Sequence, residues 1–310
     1  MMGGASEAAA PLRVVAFAGA SNLPVWAAQQ TGIFARAGIE VALDLTPNSR
    51  AMAADLFGGR YDLALTSVDN IVAYDEGQGE AALSGPADFV ALFGVDDGML
   101  SVMATPDIPD LGALRGRSVS VDAMTTGFAF VLREILDGAG LADTVDWVAV
   151  GGGAQRLAAL REGRQAATLL NTPLDLAAEA AGCRRLLRAR DVVGPYQGIV
   201  AAARRGVVAA KRPALVAFTR AFRDSVAWLD GHRAEAAALL AARAQLPPPV
   251  AARAAEALLD PGGGLFRDLR LDMAGLGTVL RLRRRFGQPA RSLADPAAYL
   301  DLSVRAEALG

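Results

Sequence analysis

Residues 14–45 read VVAFAGASNLPVWAAQQTGIFARAGIEVALDL. This stretch predicts a buried strand over 14–18, a polar turn, a helix entered through Pro24 and a second strand over 40–45. Proline is tolerated in the first turn of a helix because the N–H that it lacks would have no partner there. The helix therefore presents free backbone N–H groups at the carboxyl end of a strand, where open α/β sheets bind ligands.

The order of residues in this stretch resembles the type II periplasmic solute-binding proteins of the alkanesulfonate, nitrate, taurine and thiamine-precursor importers. In that family a ligand-contacting turn follows the first strand and precedes a helix that reads P-x-x-x-A-x-x-x-G-x-F/L-x-x-x-G-I/L-x-V. The matching residues are Pro24, Ala28, Gly32, Phe34, Gly38, Ile39 and Val41.

A second family motif, I/V-x-x-L-x-x-L-K/R-G-K/R-x-V/I-x-V/F, opens the second lobe and precedes a polar turn and a long helix. Its matches are Ile108, Leu111, Leu114, Arg115, Gly116, Arg117, Val119 and Val121. The chain departs from the family before Pro173, where Asn171 stands in place of an aromatic or acidic ligand contact. Asn171 offers hydrogen bonds instead of a stacking wall.

Alternating strands and helices, with a crossing near the midpoint and a late return, predict two α/β lobes with a ligand cleft between them. The resemblance implies the periplasmic-binding-protein type II fold. We expect residues 12–102 and 203–310 to form a discontinuous lobe I and residues 103–202 to form lobe II. The C-terminal part is mainly helical, and we interpret its RLRRR run, 281–285, as a solvated helix face.

Polar side chains that directly follow predicted strands are the candidate ligand contacts. The expected ligand-binding residues are Ser21, Asn22, Trp26, Arg50, Ser67, Asn70, Asp97, Thr125, Thr126, Asn171 and Tyr196. Thr125 and Thr126 open a long helix, whose N-terminal N–H groups favour a carboxylate, sulfonate or phosphate. Trp26 and Tyr196 are expected to form apolar walls, with core packing as the equal alternative for Tyr196.

Several of these candidates have a simpler structural interpretation. Ser67 and Asn70 suit helix capping as well as ligand contact, and Arg50 suits a solvated first turn. Asp97 and its neighbour Asp96 suit a solvated pair at a turn. Arg50 favours an anionic ligand, whereas the two aspartates favour an ammonium group or a ring that donates hydrogen bonds. Our hypothesis leans to a carboxylate or sulfonate with a modest apolar body.

The composition excludes several function classes. The 310 residues are 53% hydrophobic and 21% charged, which is typical of a globular protein. A net charge of −2 gives no electrostatic basis for nucleic-acid binding. No apolar run reaches ~18 residues without a charge, so no membrane span is expected. The glycines at 151–153 lack the lysine and spacing of a phosphate-binding loop.

The single cysteine and the single histidine argue against catalysis. Cys183 and His232 both fall outside the predicted ligand-facing loops. One cysteine allows neither an internal disulfide nor a cysteine-based metal cluster, and no Ser-His-Asp order suits the cleft. We therefore expect neither an enzyme nor a bound cofactor or metal.

The first twelve residues, MMGGASEAAAPL, lack the basic region and the apolar run of a secretory signal. Two expectations follow for the cellular location. The protein is periplasmic if a signal was removed, and cytoplasmic if Met1 is the native start.

The resemblance implies the substrate-binding component of an ABC importer, which captures a small polar organic solute such as a sulfonate, carboxylate or pyrimidine-like compound. Its expected partners are the small-molecule ligand and the membrane permease and ATPase, with the protein itself a monomer. The alternatives are a desulfinase-like or pyrimidine-synthase-like enzyme on the same fold, since the family's relatives include such enzymes, and a cytoplasmic small-molecule sensor.

Overall fold

The computed structural model describes residues 10–310, so residues 1–9 of the N-terminal stretch discussed above lie outside the described residues. The described residues form ten strands in two sheets. The strands are β1 (Leu12–Phe17), β2 (Val41–Thr46), β3 (Leu63–Ser67), β4 (Phe89–Gly94), β5 (Leu100–Ala104), β6 (Ser118–Val121), β7 (Asp146–Ala149), β8 (Ala167–Asn171), β9 (Arg184–Arg188) and β10 (Ile199–Arg204).

Helices connect these strands and continue alone at the C-terminal end. They are α1 (Leu23–Gln30), α2 (Ile33–Arg36), α3 (Ser49–Phe57), α4 (Val68–Asp75), α5 (Gly127–Gly138), α6 (Gly153–Arg161), α7 (Leu174–Ala180), α8 (Arg190–Val193), α9 (Arg205–Ala210), α10 (Arg212–Gly231), α11 (Arg233–Arg243), α12 (Pro248–Leu258), α13 (Met273–Phe286) and α14 (Ser303–Leu309). Within residues 10–310, none of the helices is both long and apolar enough to span a bilayer.

The two sheets have the same plan, which confirms the predicted two-lobe α/β fold. The lobe I sheet has the order β2-β1-β3-β10-β4, and the lobe II sheet has the order β7-β6-β8-β5-β9. In each sheet three strands are parallel, β1 with β2 and β3 in lobe I and β6 with β7 and β8 in lobe II. The strands next to the two crossings between the lobes pair antiparallel.

The sheet membership of two strands differs from the expected lobe boundaries. β5 belongs wholly to the lobe II sheet, although the expected boundary at 102/103 would divide it. β10 belongs wholly to the lobe I sheet, although the boundary at 202/203 would divide it. A hydrogen-bonded strand stays in one sheet, so the chain crosses between the lobes at 95–99 and returns at 189–198.

Local sequence signals explain why the first helices form where they do. Pro24 occupies the first turn of α1. Gly32 and Gly38 both have a φ of 73°, a left-handed conformation that glycine adopts without steric cost. Phe34, in the short helix between these glycines, stacks on Phe218 of α10 with ring centroids 5.5 Å apart. This aromatic pair fixes the N-terminal unit to the core of lobe I.

Helix α13 contradicts the interpretation of its arginines as a solvated face. It packs against α4 of lobe I and α5 of lobe II. Arg283 is 1% exposed, and its Nε and Nη2 donate to the two carboxylate oxygens of Asp69 at 2.6 Å each. Arg281 and Arg285, four residues apart and so on one helix face, pair with Glu134 of α5. Two faces of the arginine run therefore contact two different lobes.

We expect Arg283→Met to destabilise the protein strongly, because it leaves the Asp69 carboxylate buried without a counter-charge. Breaking a buried ion pair from one side costs about 3–5 kcal/mol of the free energy of unfolding. Urea denaturation measures this loss. The exposed neighbour Arg284 supplies the matched control, since Arg284→Met should change stability by less than about 0.5 kcal/mol. Adding Asp69→Asn to Arg283→Met should recover much of the loss, and no recovery would contradict the ion-pair explanation.

Candidate ligand cleft

Each sheet has one point where the chain reverses its direction of winding, and these two points define the candidate site. In lobe I, β1 leads through α1 to β2 on one side, and β2 leads through α3 to β3 on the other. In lobe II, β6 leads through α5 to β7, and β7 leads through α6 to β8. Open α/β sheets bind ligands at the carboxyl ends of their strands at such switch points.

The carboxyl ends of the two sheets face each other across the lobe boundary. A Cβ atom added at Gly19, after β1, would lie 3.7 Å from Nδ2 of Asn171, at the end of β8. A Cβ atom added at Gly152, after β7, would lie 3.5 Å from the carbonyl oxygen of Pro47, after β2. The structure therefore brings the two switch points into one cleft with closed lobes.

In the lobe I half, the predicted contacts after β1 already hold internal hydrogen bonds. Ser21 and Asn22 are both buried. The Ser21 hydroxyl donates to the Asp96 carboxylate, and Asn22 Nδ2 donates to the Phe17 carbonyl oxygen at 2.7 Å. These bonds hold the turn in shape, so both side chains already have internal partners.

The residues after β3 combine capping with a position at the cleft. The Ser67 hydroxyl accepts from the Asp69 N–H at 3.3 Å and caps α4, so capping is one of its roles. Asn70 Nδ2 donates to the Thr66 hydroxyl at 2.9 Å inside lobe I. Asp69, which the sequence analysis did not single out, reaches across to lobe II, because a Cβ atom on Gly127 would lie 2.2 Å from its Cγ.

The lobe II half contains the predicted threonines and one residue that the sequence analysis missed. Thr126 caps α5 and donates to Asp122 Oδ1 at 2.6 Å. Thr125 is exposed, and its carbonyl oxygen accepts from Arg283 Nη2 at 3.1 Å. The missed residue is Arg156 of α6, which is 3% exposed and lies between the ends of β7 and β8. Its signal in the sequence was a single arginine shortly after three glycines.

Two of the expected contacts lie away from the switch points. Trp26 is 6% exposed and belongs to the hydrophobic core of lobe I with Val14 and Leu63, so its ring is engaged in packing. Arg50 is exposed in the first turn of α3, which agrees with the alternative of a solvated first turn.

The two neighbouring aspartates differ from the solvated pair that the sequence suggested. Asp96 is 1% exposed and accepts from the N–H groups of Gly98 and Ile199, each at 2.9 Å. Burial raises the pKa of Asp96 above its usual range. Asp97 pairs with Arg190 at 3.2 Å beside the crossing segments and not between the switch points.

Tyr196 lies at the return crossing and is 4% exposed. Its hydroxyl makes no hydrogen bond to any of residues 10–310. Burial and the nearby charge of Asp69 raise its pKa. The ring belongs to the core that spans β5, β6 and α5, which favours the packing alternative for Tyr196.

A separate cavity of about 570 Å³ opens beside the crossings, between α7 and α12. Charged side chains line it, and four of its five arginines pair with carboxylates of the protein, among them Arg253 with Glu179 at 2.6 Å and Arg185 with Asp175 at 2.9 Å. This cavity is therefore a poorer candidate for ligand capture than the switch-point cleft.

Cys183 and His232 are each engaged in packing with other side chains. Cys183 is buried with Leu160 and Leu170 behind the lobe II sheet, and burial raises its thiol pKa. His232 ends α10 and stacks on the Trp228 ring with centroids 4.2 Å apart. A raised thiol pKa disfavours the reactive thiolate.

Comparison with known proteins supports this architecture. The nitrate-binding protein NrtA from Synechocystis PCC 6803 is 14% identical, with a TM-score of 0.79 over 96% of this chain and 88% of that chain. The aliphatic sulphonate binding protein SsuA from Escherichia coli is 20% identical, with a TM-score of 0.70 over 95% and 91%. The desulfurization enzyme DszB is 15% identical, with a TM-score of 0.65 over 96% and 98%. These similarities establish the fold.

The family is established from the sequence. No curated protein sequence matches the chain. The model of the NMT1-like family matches residues 6–245, well over half of the chain. The resemblance read from the motifs of the two lobes is thereby confirmed, and the chain belongs to the NMT1-like family of proteins with the periplasmic-binding-protein fold.

Proposed function

We propose that this chain is the substrate-binding component of an ABC importer. It captures a small polar organic solute, a sulfonate, carboxylate or pyrimidine-like compound, by closure of the two lobes. The observation that carries this proposal is the opposition of two switch-point crevices, seen in the approach of Asn171 to Gly19. Polar residues from both lobes converge there. Among the expected ligand contacts, Ser67, Thr126 and Asn171 have the positions that best support a role in binding.

The partners and the location follow from the same proposal. NrtA binds nitrate and SsuA binds aliphatic sulphonates, and both are described as periplasmic. By analogy, this chain is a periplasmic monomer that delivers its ligand to a membrane permease and ATPase.

An enzyme is the second candidate, because DszB has the same fold. Nucleophilic catalysis needs an activated side chain next to a base. Cys183 is buried among apolar side chains, where burial raises its thiol pKa, and His232 stacks on Trp228. Neither residue is hydrogen-bonded to a catalytic side chain within residues 10–310, which favours binding without conversion.

Closure of the lobes depends on a close approach at the start of α5. Gly127 leaves just enough room for the Asp69 carboxylate, which Arg283 holds through two hydrogen bonds and so cannot easily move aside. The open state separates Asp69 from Gly127 and admits the ligand, and the closed state brings them together.

A ligand should raise the free energy of unfolding by about 2.7 kcal/mol when its concentration is 100 times its Kd. Thermal unfolding against a panel of sulfonates, carboxylates, nitrate, pyrimidines and amines measures this shift. The ligand that gives a shift should be recovered unchanged by mass spectrometry. Chemical conversion of that ligand would move the function to the enzyme class.

Gly127→Ala should impair closure, since its Cβ would overlap the Asp69 carboxylate. Overpacking costs about 1–3 kcal/mol, which corresponds to a roughly 5- to 150-fold weaker affinity for the ligand found in the panel. Small-angle scattering should give a larger radius of gyration for this variant.

Gly138→Ala is the matched control, because Gly138 lies in the same helix and a Cβ there contacts nothing within 4 Å. It should leave affinity and radius of gyration unchanged. Equal behaviour of the two variants would contradict closure at Gly127.

A further inference from the structure

The strands β6 and β8 separate at the switch point of lobe II, and Arg156 lies where they part. The two strands pair only through Val119 with Ala167 and Ser120 with Thr168. Beyond these pairs, Arg156 Nη1 donates to the carbonyl oxygen of Leu169 in β8, and Nε donates to the carbonyl oxygen of Gly151 after β7 at 3.1 Å. The guanidinium is thus held in place by backbone groups.

Arg156 has no counter-charge in direct contact. Two arginines are buried in the described part of the chain, Arg283 and Arg156. Arg283 holds both oxygens of Asp69, whereas no carboxylate of residues 10–310 lies within 4 Å of Arg156. The nearest acidic influence comes from Asp122, which is already bonded to Thr126. An arginine stays protonated, so burial without a partner is costly unless another group supplies the negative charge.

The remaining nitrogen of Arg156 faces the lobe boundary. Nη2 makes no hydrogen bond to the described residues. It lies 3.9 Å from the position that a Cβ on Gly153 would take, and Asn171 Oδ1 lies at the same distance from that position. Asn171 in turn approaches Gly19 of lobe I. Arg156 therefore lies one side-chain layer below the surface of the cleft. That surface becomes accessible when the lobes open.

The N-terminus of α6 adds hydrogen-bond donors at the same place. This nine-residue helix begins at Gly153, and no side chain caps it. The first N–H groups of a helix carry partial positive charge and favour an anion. Both the first N–H groups of this helix and Nη2 of Arg156 lie close to Gly153, and both favour negative charge there.

From this arrangement we propose that Arg156 determines specificity for an anionic ligand, by donating from Nη2 to a carboxylate or sulfonate oxygen that enters beside Asn171 when the lobes open. This inference rests on the proposed function and assigns the charged end of the ligand to lobe II. Arg and an oxyanion form short charge-assisted hydrogen bonds, and the planar guanidinium suits the paired oxygens of both acid groups.

The test uses the full chain and isothermal titration with propionate, ethanesulfonate and the neutral propionamide, which have similar size. The wild type should bind at least one of the two acids more tightly than the amide. The acid that binds more tightly identifies the ligand class. Arg156→Met should weaken binding of that acid about 10- to 100-fold, because a hydrogen bond to a charged group is lost. Arg156→Lys keeps the charge without the planar fork and should lose less.

Stability of the ligand-free protein separates this role from a structural one. Removing a buried cation that lacks a partner should leave the Tm of Arg156→Met unchanged or raise it, whereas a purely structural arginine would give a clear fall. Arg161→Met, on the exposed side of the same helix, is the control for both readouts.

The outcomes separate this inference from the proposed function. Tight binding of an acid that Arg156→Met and Arg156→Lys leave unaffected would overturn the role of Arg156 and keep the binding function. Tighter binding of propionamide than of either acid would likewise overturn the role of Arg156 and keep the binding function. Failure of the wild type to bind any of the three compounds would overturn the role of Arg156 and count against the binding function itself.

Discussion

The structure depends on one buried carboxylate at the point where the chain passes between its lobes. Asp96 accepts from the N–H of Gly98 in the outgoing crossing, from the N–H of Ile199 at the start of β10, where the returning crossing ends, and from the hydroxyl of Ser21 in the β1–α1 turn. Burial raises the pKa of this group, and the three donors oppose that rise. Hydrogen bonds to a charged group contribute about 1.5–3 kcal/mol each, so this carboxylate ties both crossings to the turn of the candidate site.

The two crossing segments also require glycine at the point where they approach each other most closely. A Cβ atom on Gly198 would lie 2.4 Å from the Cα of Gly98, so the two crossing segments approach each other more closely than any other residue would allow. Gln197 adds to this junction, because its amide donates to the carbonyl oxygens of Asp96 and Ile199 and accepts from the N–H of Asp272. The lobes are thus connected by a compact polar junction.

The parts of the fold that local signals encode could be predicted from the sequence. The strand-turn-helix unit at 14–45, the cap of α5 at Thr126 and the second-lobe motif before β6 all depend on neighbours in the chain, and the structure has them. What could not be predicted is which distant group each polar side chain would meet. Ser21 bonds Asp96, which is 75 residues away, and Arg283 bonds Asp69, which is 214 residues away. A periodic arginine run is typical of a solvated face, and only the docking of α13 between two lobes reverses that interpretation.

The two buried arginines differ in how their charge is compensated within residues 10–310. Arg283 finds its counter-charge in Asp69 of lobe I, reaches the Thr125 carbonyl of lobe II and lies over the Phe130 ring with its carbon 5.1 Å from the centroid. The Arg283–Asp69 pair joins α13 to α4, and the contacts of Arg283 with Thr125 and Phe130 connect it to lobe II. Arg156 is held by carbonyl oxygens alone, which orient it but do not neutralise it. In the proposed binding function, closure over an empty cleft would retain the cost of an uncompensated cation. A bound anion would remove that cost and so make closure more favourable with the ligand than without it.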